Sequence, residues 1–156
     1  MTEDNRLIAF LKEQGVPFQT QHHAQAFTAQ EIAASEHVPG KMVAKVVMLT
    51  DGDELAMVVL PAPDHVDLKK ATAAIGGKTV RLAEEREFAQ RFPDCEIGAM
   101  PPFGNLYDVP VYVDAGLTED ETIVFNDGNH TDTMSLTYKD FERIVRPTVA
   151  DLVVRT

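Results

Sequence analysis

Two β-rich runs joined by a short turn place the tightest constraint on how this chain can fold. Residues 43–50 and 55–60 are rich in valine, leucine and methionine, and Asp51-Gly52-Asp53-Glu54 lies between them. An Asp- and Gly-containing turn between two such runs predicts an antiparallel hairpin. The fold must therefore include a sheet built around this hairpin.

Further helices and strands are distributed irregularly around the hairpin. Apolar spacing and capping patterns predict a first helix that carries Leu7 and Leu11 and ends at Gly15, then helices over 28–38, 67–75, 84–92 and 138–145. Further strands are predicted over 18–22, 79–82, 109–113, 122–125 and 131–136. This order predicts one α+β domain over residues 1–156, with a mixed or mainly antiparallel sheet.

Composition narrows the classes of protein to consider. The 156 residues carry a net charge of −11, which argues against a general DNA or RNA binder. The segment from Lys41 to Arg81 nevertheless has six basic and five acidic residues, so a small anionic ligand or a nucleic-acid end could be received there. No apolar run could span a membrane, no signal peptide is recognisable and Cys95 is the only cysteine, so we expect a cytoplasmic protein.

Lys45 is the first candidate functional residue because it is a lone charge inside an apolar strand. It shares a strand face with Val43, Val47 and Leu49, and the other face is also apolar. A buried ammonium group needs a carboxylate, a phosphate or a cavity, because burying it unpaired is costly. The alternative is a lysine whose chain reaches solvent at the end of a strand.

The second candidate is the loop Gly98-Ala99-Met100-Pro101-Pro102-Phe103-Gly104. Its two prolines fix backbone angles and its glycines allow close approach, so its N–H groups are held in set directions. Such groups can stabilise the negative charge on a carbonyl oxygen under attack. The alternative interpretation is a stiff connection without chemistry.

The third candidate is the turn Asp127-Gly128-Asn129-His130-Thr131-Asp132, which offers an imidazole beside polar groups. A lone histidine on a turn can equally be a solvated surface residue. No metal-ligand spacing, phosphate loop or nucleotide-binding motif is present, so we expect no metal and no cofactor. Cys95 has no base beside it in sequence and is not expected to be a nucleophile.

These features occur in the same order as in one known family. The segments 27–33, 43–47, 66–70, 98–104 and 128–130 resemble the YbaK/prolyl-tRNA synthetase-associated editing domains over about residues 5–152. The resemblance implies a twisted, mainly antiparallel, barrel-like mixed sheet flanked by helices. It also implies a hydrolase that acts in trans on the ester of a mischarged tRNA, of the Ala-tRNAPro or Cys-tRNAPro type or with a related small amino acid.

The resemblance also implies roles for individual residues. Lys45 would contact the 3′ acceptor end of the aminoacyl-tRNA, Gly98 would hold the ester carbonyl through its backbone, and His130 would position water. Binding of substrate would involve Met100, Pro101, Pro102, Phe103, Gly104, Gly128 and Asn129. Some alanine-editing members have their histidine where this chain has Asn126, and cysteine-editing members have an acidic residue near Thr133, so the amino acid stays open.

Two further interpretations belong to other classes. The chain could be a non-catalytic module that binds a tRNA end or a nucleotide and associates with a synthetase, or a structural partner domain. Under the editing interpretation and the binding-module interpretation alike, an aminoacyl-tRNA synthetase is a candidate partner. Neither DNA nor a membrane is expected as a partner. Deacylation of a panel of aminoacyl-tRNAs would separate the enzyme from the binding module.

Overall fold

The computed structural model describes residues 6–22 and 39–154. The helix predicted from the capping box at Thr28 lies outside the described residues. Four α-helices are described: α1 (Arg6–Glu13), α2 (Leu68–Ile75), α3 (Glu85–Phe88) and α4 (Tyr138–Val145). None of the helices described is long and apolar enough to cross a membrane.

Helix ends follow the capping chemistry predicted from the sequence. Asp67 caps α2, its Oδ1 accepting hydrogen bonds from the N–H groups of Lys69 (2.9 Å) and Lys70 (3.1 Å). Gly76 ends the same helix in a left-handed conformation. The predicted helix over 84–92 is shorter than expected, because α3 passes into a 3-10 turn at Ala89–Arg91.

Eight strands form two sheets. They are β1 (Gln19–His22), β2 (Ala44–Asp51), β3 (Glu54–Pro61), β4 (Val80–Leu82), β5 (Val111–Asp114), β6 (Thr122–Asn126), β7 (Asp132–Thr137) and β8 (Thr148–Ala150). The larger sheet has the order β4–β2–β3–β5–β8 and the smaller one β1–β7–β6. The predicted hairpin is confirmed, with β2 and β3 paired antiparallel down to Asp51 and Glu54.

The predicted α+β class with a mixed, mainly antiparallel sheet is confirmed, but the sheet does not close into a barrel. Only β3–β5 and β5–β8 pair in parallel within the larger sheet. Between β2 and β6 the described contact is one isolated parallel bridge, Val43 to Val124. A barrel needs continuous hydrogen bonding around the ring, and one bridge does not supply it.

Side chains pack on both faces of the larger sheet. One cluster fills the space towards the smaller sheet and includes four phenylalanines that are almost fully buried: Phe92, Phe103, Phe125 and Phe141. The second cluster joins Leu49, Val58 and Leu60 of the sheet to Ala71 of α2 and to Leu152 and Val153. The strand face that carries Lys45 therefore looks towards α2, because Lys45 is paired with Leu60 across the hairpin.

Asp114 ties the C-terminal segment to the sheet, and its removal should be costly. The carboxylate is 1% exposed, with Oδ1 accepting from the Leu152 N–H and Oδ2 from the Gly116 N–H, both at 2.9 Å. We expect Asp114→Ala to lower the free energy of unfolding by about 2–3 kcal/mol, because the buried Leu152 N–H and the partly buried Gly116 N–H lose their carboxylate acceptor. Urea denaturation measures this, with Asp53→Ala in the exposed hairpin turn as control. If Asp114→Ala and Asp53→Ala unfold at the same urea concentration, Asp114 does not hold the C-terminal segment to the sheet.

Candidate functional site

The loop from Gly98 to Gly104 is buried from Ala99 onward, whereas Gly98 itself is exposed. Gly98 has φ = 85°, a left-handed conformation that favours glycine. At Gly104 a Cβ atom would lie 2.6 Å from the Val109 carbonyl oxygen, so only glycine fits there. The side chains of Met100 and Phe103 are 4% and 0% exposed and belong to the core. Any contact this loop makes with a ligand must therefore come mainly from its backbone.

Two backbone donors of this loop are not used within the described structure. The Ala99 N–H donates to Glu96 O (3.0 Å) and the Phe103 N–H to Pro101 O (2.7 Å). Pro101 and Pro102 have no N–H. Within the described ranges, the N–H groups of Gly98 and Met100 have no backbone carbonyl acceptor. Met100 is buried, and buried backbone donors are almost always paired, so its N–H marks a place where a ligand oxygen could bind. Gly98 is exposed, so its N–H is open to solvent or to a ligand.

The turn between β6 and β7 is held by its own polar groups. Asn129 Oδ1 accepts from the N–H groups of Thr131 (2.8 Å) and Asp132 (2.7 Å), and its Nδ2 donates to Asp132 Oδ2 (3.0 Å). The Asn129 side chain is thus engaged in forming the turn, and its part in substrate binding stays a prediction. Gly128 is similarly engaged through its backbone, as described next.

Loop and turn are joined directly. The Glu96 N–H donates to Gly128 O (2.7 Å), and the Gly128 N–H donates to Ala99 O (3.0 Å). His130 is 7% exposed, and its Cε1 lies 3.6 Å from where a Cβ on Gly98 would be. The structure thus brings together Gly98 and His130, which are 32 residues apart in sequence.

Lys45 lies half-buried near the start of β2. Burial lowers the pKa of its ammonium group below the ordinary value of 10.5, and the nearby charge of Asp64 partly offsets this. An ammonium group whose charge is disfavoured by burial is stabilised by an approaching anion. Lys45 therefore has the electrostatic setting of an anion-binding residue.

Lys45 lies close to the place where β2 and β6 meet. Beyond the parallel bridge from Val43 to Val124, Lys45 lies two residues further along β2 and Asn126 two residues further along β6. Residues two apart in a strand share a face. The side chain of Lys45 therefore lies on the same face as Val43, and that of Asn126 on the same face as Val124. The described contacts bring Gly98 and His130 together. That Lys45 lines the same site stays a prediction.

Asn126 is a functional candidate that the motifs did not identify as a site residue. Its Oδ1 is buried and has no hydrogen-bond partner, and it faces Thr133 across the strand pair. A buried amide oxygen without a donor is a costly arrangement that a bound ligand would relieve. Asn126 does not stand out in the sequence, because asparagine is common where a strand leads into a turn.

Cys95 lies behind the loop in an environment that suppresses its reactivity. Its Sγ is 3.5 Å from the hydroxyl of Tyr107, which donates to Asp94 Oδ1 at 3.0 Å. Burial raises the pKa of the Cys95 thiol to about 11, so little thiolate forms at neutral pH. This supports the prediction that Cys95 is not a nucleophile. No group of three or more potential metal ligands lies together among the residues described.

A small α+β protein with a half-buried lysine and with two loop N–H groups that have no backbone acceptor among the described residues is suited to bind an anionic molecule with a carbonyl group. Residues 23–144 match the family model for the aminoacyl-tRNA editing domain. The chain therefore belongs to the aminoacyl-tRNA editing domain family, and the resemblance inferred from its motifs is confirmed.

Individual relatives agree with this assignment. The chain is 26% identical over 152 residues to the prolyl-tRNA editing protein ProX of Acetoanaerobium sticklandii, covering 94% of this chain and 92% of that protein. It is also 26% identical to the uncharacterised protein YwhH of Bacillus subtilis, over 78% of this chain and 76% of that one. The crystal structure of a proposed trans-editing enzyme for prolyl-tRNA synthetase has the same fold, with a TM-score of 0.82, 22% identity and 96% of both chains covered.

Proposed function

We propose that this protein hydrolyses, in trans, the ester of tRNAPro mischarged with alanine, cysteine or a related small amino acid. The observation that carries the proposal is the position of Gly98 beside His130 in a chain of the editing family. The N–H groups of Gly98 and Met100 in this loop have no backbone acceptor among the described residues. Such donors favour a carbonyl oxygen that becomes negative during attack. The relative named as a prolyl-tRNA editing protein supports tRNAPro as the substrate.

Each residue has a defined part in this proposal. Lys45 binds the anionic 3′ end of the tRNA, because its half-buried ammonium group gains most from a negative partner. The Gly98 and Met100 N–H groups bind the ester carbonyl oxygen. Proofreading is needed because a binding pocket discriminates small side chains by only about 1–3 kcal/mol per methylene.

The reaction is a direct hydrolysis. Water positioned near His130 attacks the carbonyl carbon, the tetrahedral intermediate carries its charge on the former carbonyl oxygen, and the bond to the ribose oxygen breaks. The water supplies the hydroxyl of the free amino acid and the proton taken up by the ribose oxygen. A covalent enzyme intermediate is not required, in keeping with the raised pKa of the Cys95 thiol.

Asn126 and Thr133 are placed to contact the amino acid. Asn126 Oδ1 is a buried acceptor without a donor, and the α-ammonium group of an aminoacyl ester is a donor of the required kind. Thr133 faces it from β7 and is neutral, which favours an uncharged, small side chain such as that of alanine. The family resemblance favours alanine over cysteine, because cysteine-editing members have an acidic residue near the position of Thr133.

One panel of substrates tests the function. Purified protein is incubated with tRNAPro charged with alanine, cysteine or proline, and ester loss is followed under single-turnover conditions. We expect Ala-tRNAPro to be deacylated fastest and Pro-tRNAPro to be spared, and Asn126→Ala to raise KM for the preferred substrate. Binding of tRNAPro without deacylation of any member would instead support a non-catalytic module.

A further inference from the structure

The imidazole of His130 is oriented by the segment that leads into Gly98. Its main-chain N–H donates to Glu96 Oε1 at 2.9 Å, and its ring Nε2 lies 3.0 Å from the Ile97 carbonyl oxygen. Because a carbonyl oxygen can only accept, Nε2 must carry the hydrogen in this contact. Neutral His130 then has Nδ1 as its nitrogen without hydrogen.

Glu96 makes two hydrogen bonds to the turn between β6 and β7. Its N–H donates to Gly128 O at 2.7 Å, and its carboxylate accepts from the His130 N–H two residues later. The first contact requires only main chain, whereas the second depends on the Glu96 side chain. Loss of the carboxylate would therefore leave the Gly128 contact intact and release the backbone that carries the His130 ring.

We infer that Glu96 is a positioning residue, which holds the His130 ring in the Nε2-protonated form against Gly98. This inference rests on the proposed function, in which His130 positions the attacking water. Glu96 is itself exposed and need not touch the substrate. Its effect should fall on the chemical step and not on the binding of tRNA, because a misplaced ring impairs orientation of the water.

Two variants separate positioning from a purely structural effect. Glu96→Ala removes the acceptor for the His130 N–H, whereas Glu96→Gln keeps an oxygen at the same place. We expect Glu96→Ala to lower kcat about tenfold with KM nearly unchanged, because the ring is loosened. Glu96→Gln should stay close to the parent. Glu13→Ala, an exposed carboxylate removed from the end of α1, serves as the matched control.

A spectroscopic measurement tests the inference without relying on activity. Long-range ¹H–¹⁵N spectra of the histidine rings identify which nitrogen carries hydrogen. We expect His130 to be Nε2-protonated in the parent and in Glu96→Gln, and to become a mixture of forms in Glu96→Ala. The His130→Asn spectrum assigns the signals.

Distinct results would overturn the inference and the proposed function. Parent-like kcat and ring signals in Glu96→Ala, or an equal loss of kcat in Glu96→Gln, would show that the carboxylate does not position His130. If the parent fails to deacylate any substrate, the proposed function falls, and the ring spectra alone then decide the positioning role.

Discussion

Replacing Lys45 with methionine is expected to reduce kcat/KM for deacylation about 100-fold, because the ammonium group that binds the anionic tRNA end is lost. Methionine is similar in length and apolar, so it can occupy the same space against the strand face. The single-turnover assay with the preferred mischarged tRNA measures the loss. Lys78→Met, at an exposed lysine, should react at the parent rate.

Stability should move in the opposite direction from activity at this position. Burial lowers the pKa of folded Lys45 below its ordinary value of 10.5, so the charged form destabilises the fold at neutral pH. This cost is fully present below the lowered pKa and disappears as pH rises past the ordinary value. We therefore expect Lys45→Met to be at least as stable as the parent at pH 7. A parent-like deacylation rate in this folded variant would defeat the role assigned to Lys45.

The second large effect is expected at Gly98. A side chain at φ = 85° is strained by about 1–2 kcal/mol, and Gly98→Ala can relieve the strain only by turning the local backbone. Turning it would redirect the Gly98 and Met100 N–H groups, so we expect kcat to fall about 100-fold. The added methyl group would be in ordinary contact with His130, at 3.6 Å from Cε1, so a clash is not the cause.

Gly15 provides a matched control for backbone strain. It also has a left-handed backbone, with φ = 68°, and a Cβ there would meet nothing within 4 Å. Gly15→Ala should show a similar loss of stability in thermal unfolding but deacylate at the parent rate. If Gly98→Ala loses stability to the same extent and retains full activity, the loop does not bind the ester carbonyl.

Local patterns predicted most of the secondary structure because the relevant interactions lie within a few residues. The hairpin around Asp51–Glu54 and the cap at Asp67 are examples of such short-range chemistry. Strand β8 was not predicted, because its three residues are too few for a pattern and its pairing with β5 is distant in sequence. The parallel pairing of β3 with β5 was missed for the same reason.

The same difference between local and long-range interactions decides which residues of the candidate site could be predicted from sequence. Lys45 could be identified from sequence because an isolated charge in an apolar strand is a local anomaly. The contact between Gly98 and His130 could be suggested only by resemblance to a family, since it depends on how distant segments pack. Asn126 and Glu96 become recognisable only when their partners are known, because unmet or completed hydrogen bonds are properties of the folded chain.

The way in which the turn at Asn129 is held has a consequence for how such a protein could change over evolutionary time. Asn129 Oδ1 accepts from the main-chain N–H groups of Thr131 and Asp132, and Glu96 and Ala99 bind the turn from the neighbouring segment. None of these hydrogen bonds uses the side chain of Asn126 or Thr133. Substitutions at Asn126 or Thr133 can therefore alter the amino acid accepted without rebuilding the hairpin. The amino acid that the site accepts can thus change during evolution while the backbone of the hairpin stays the same.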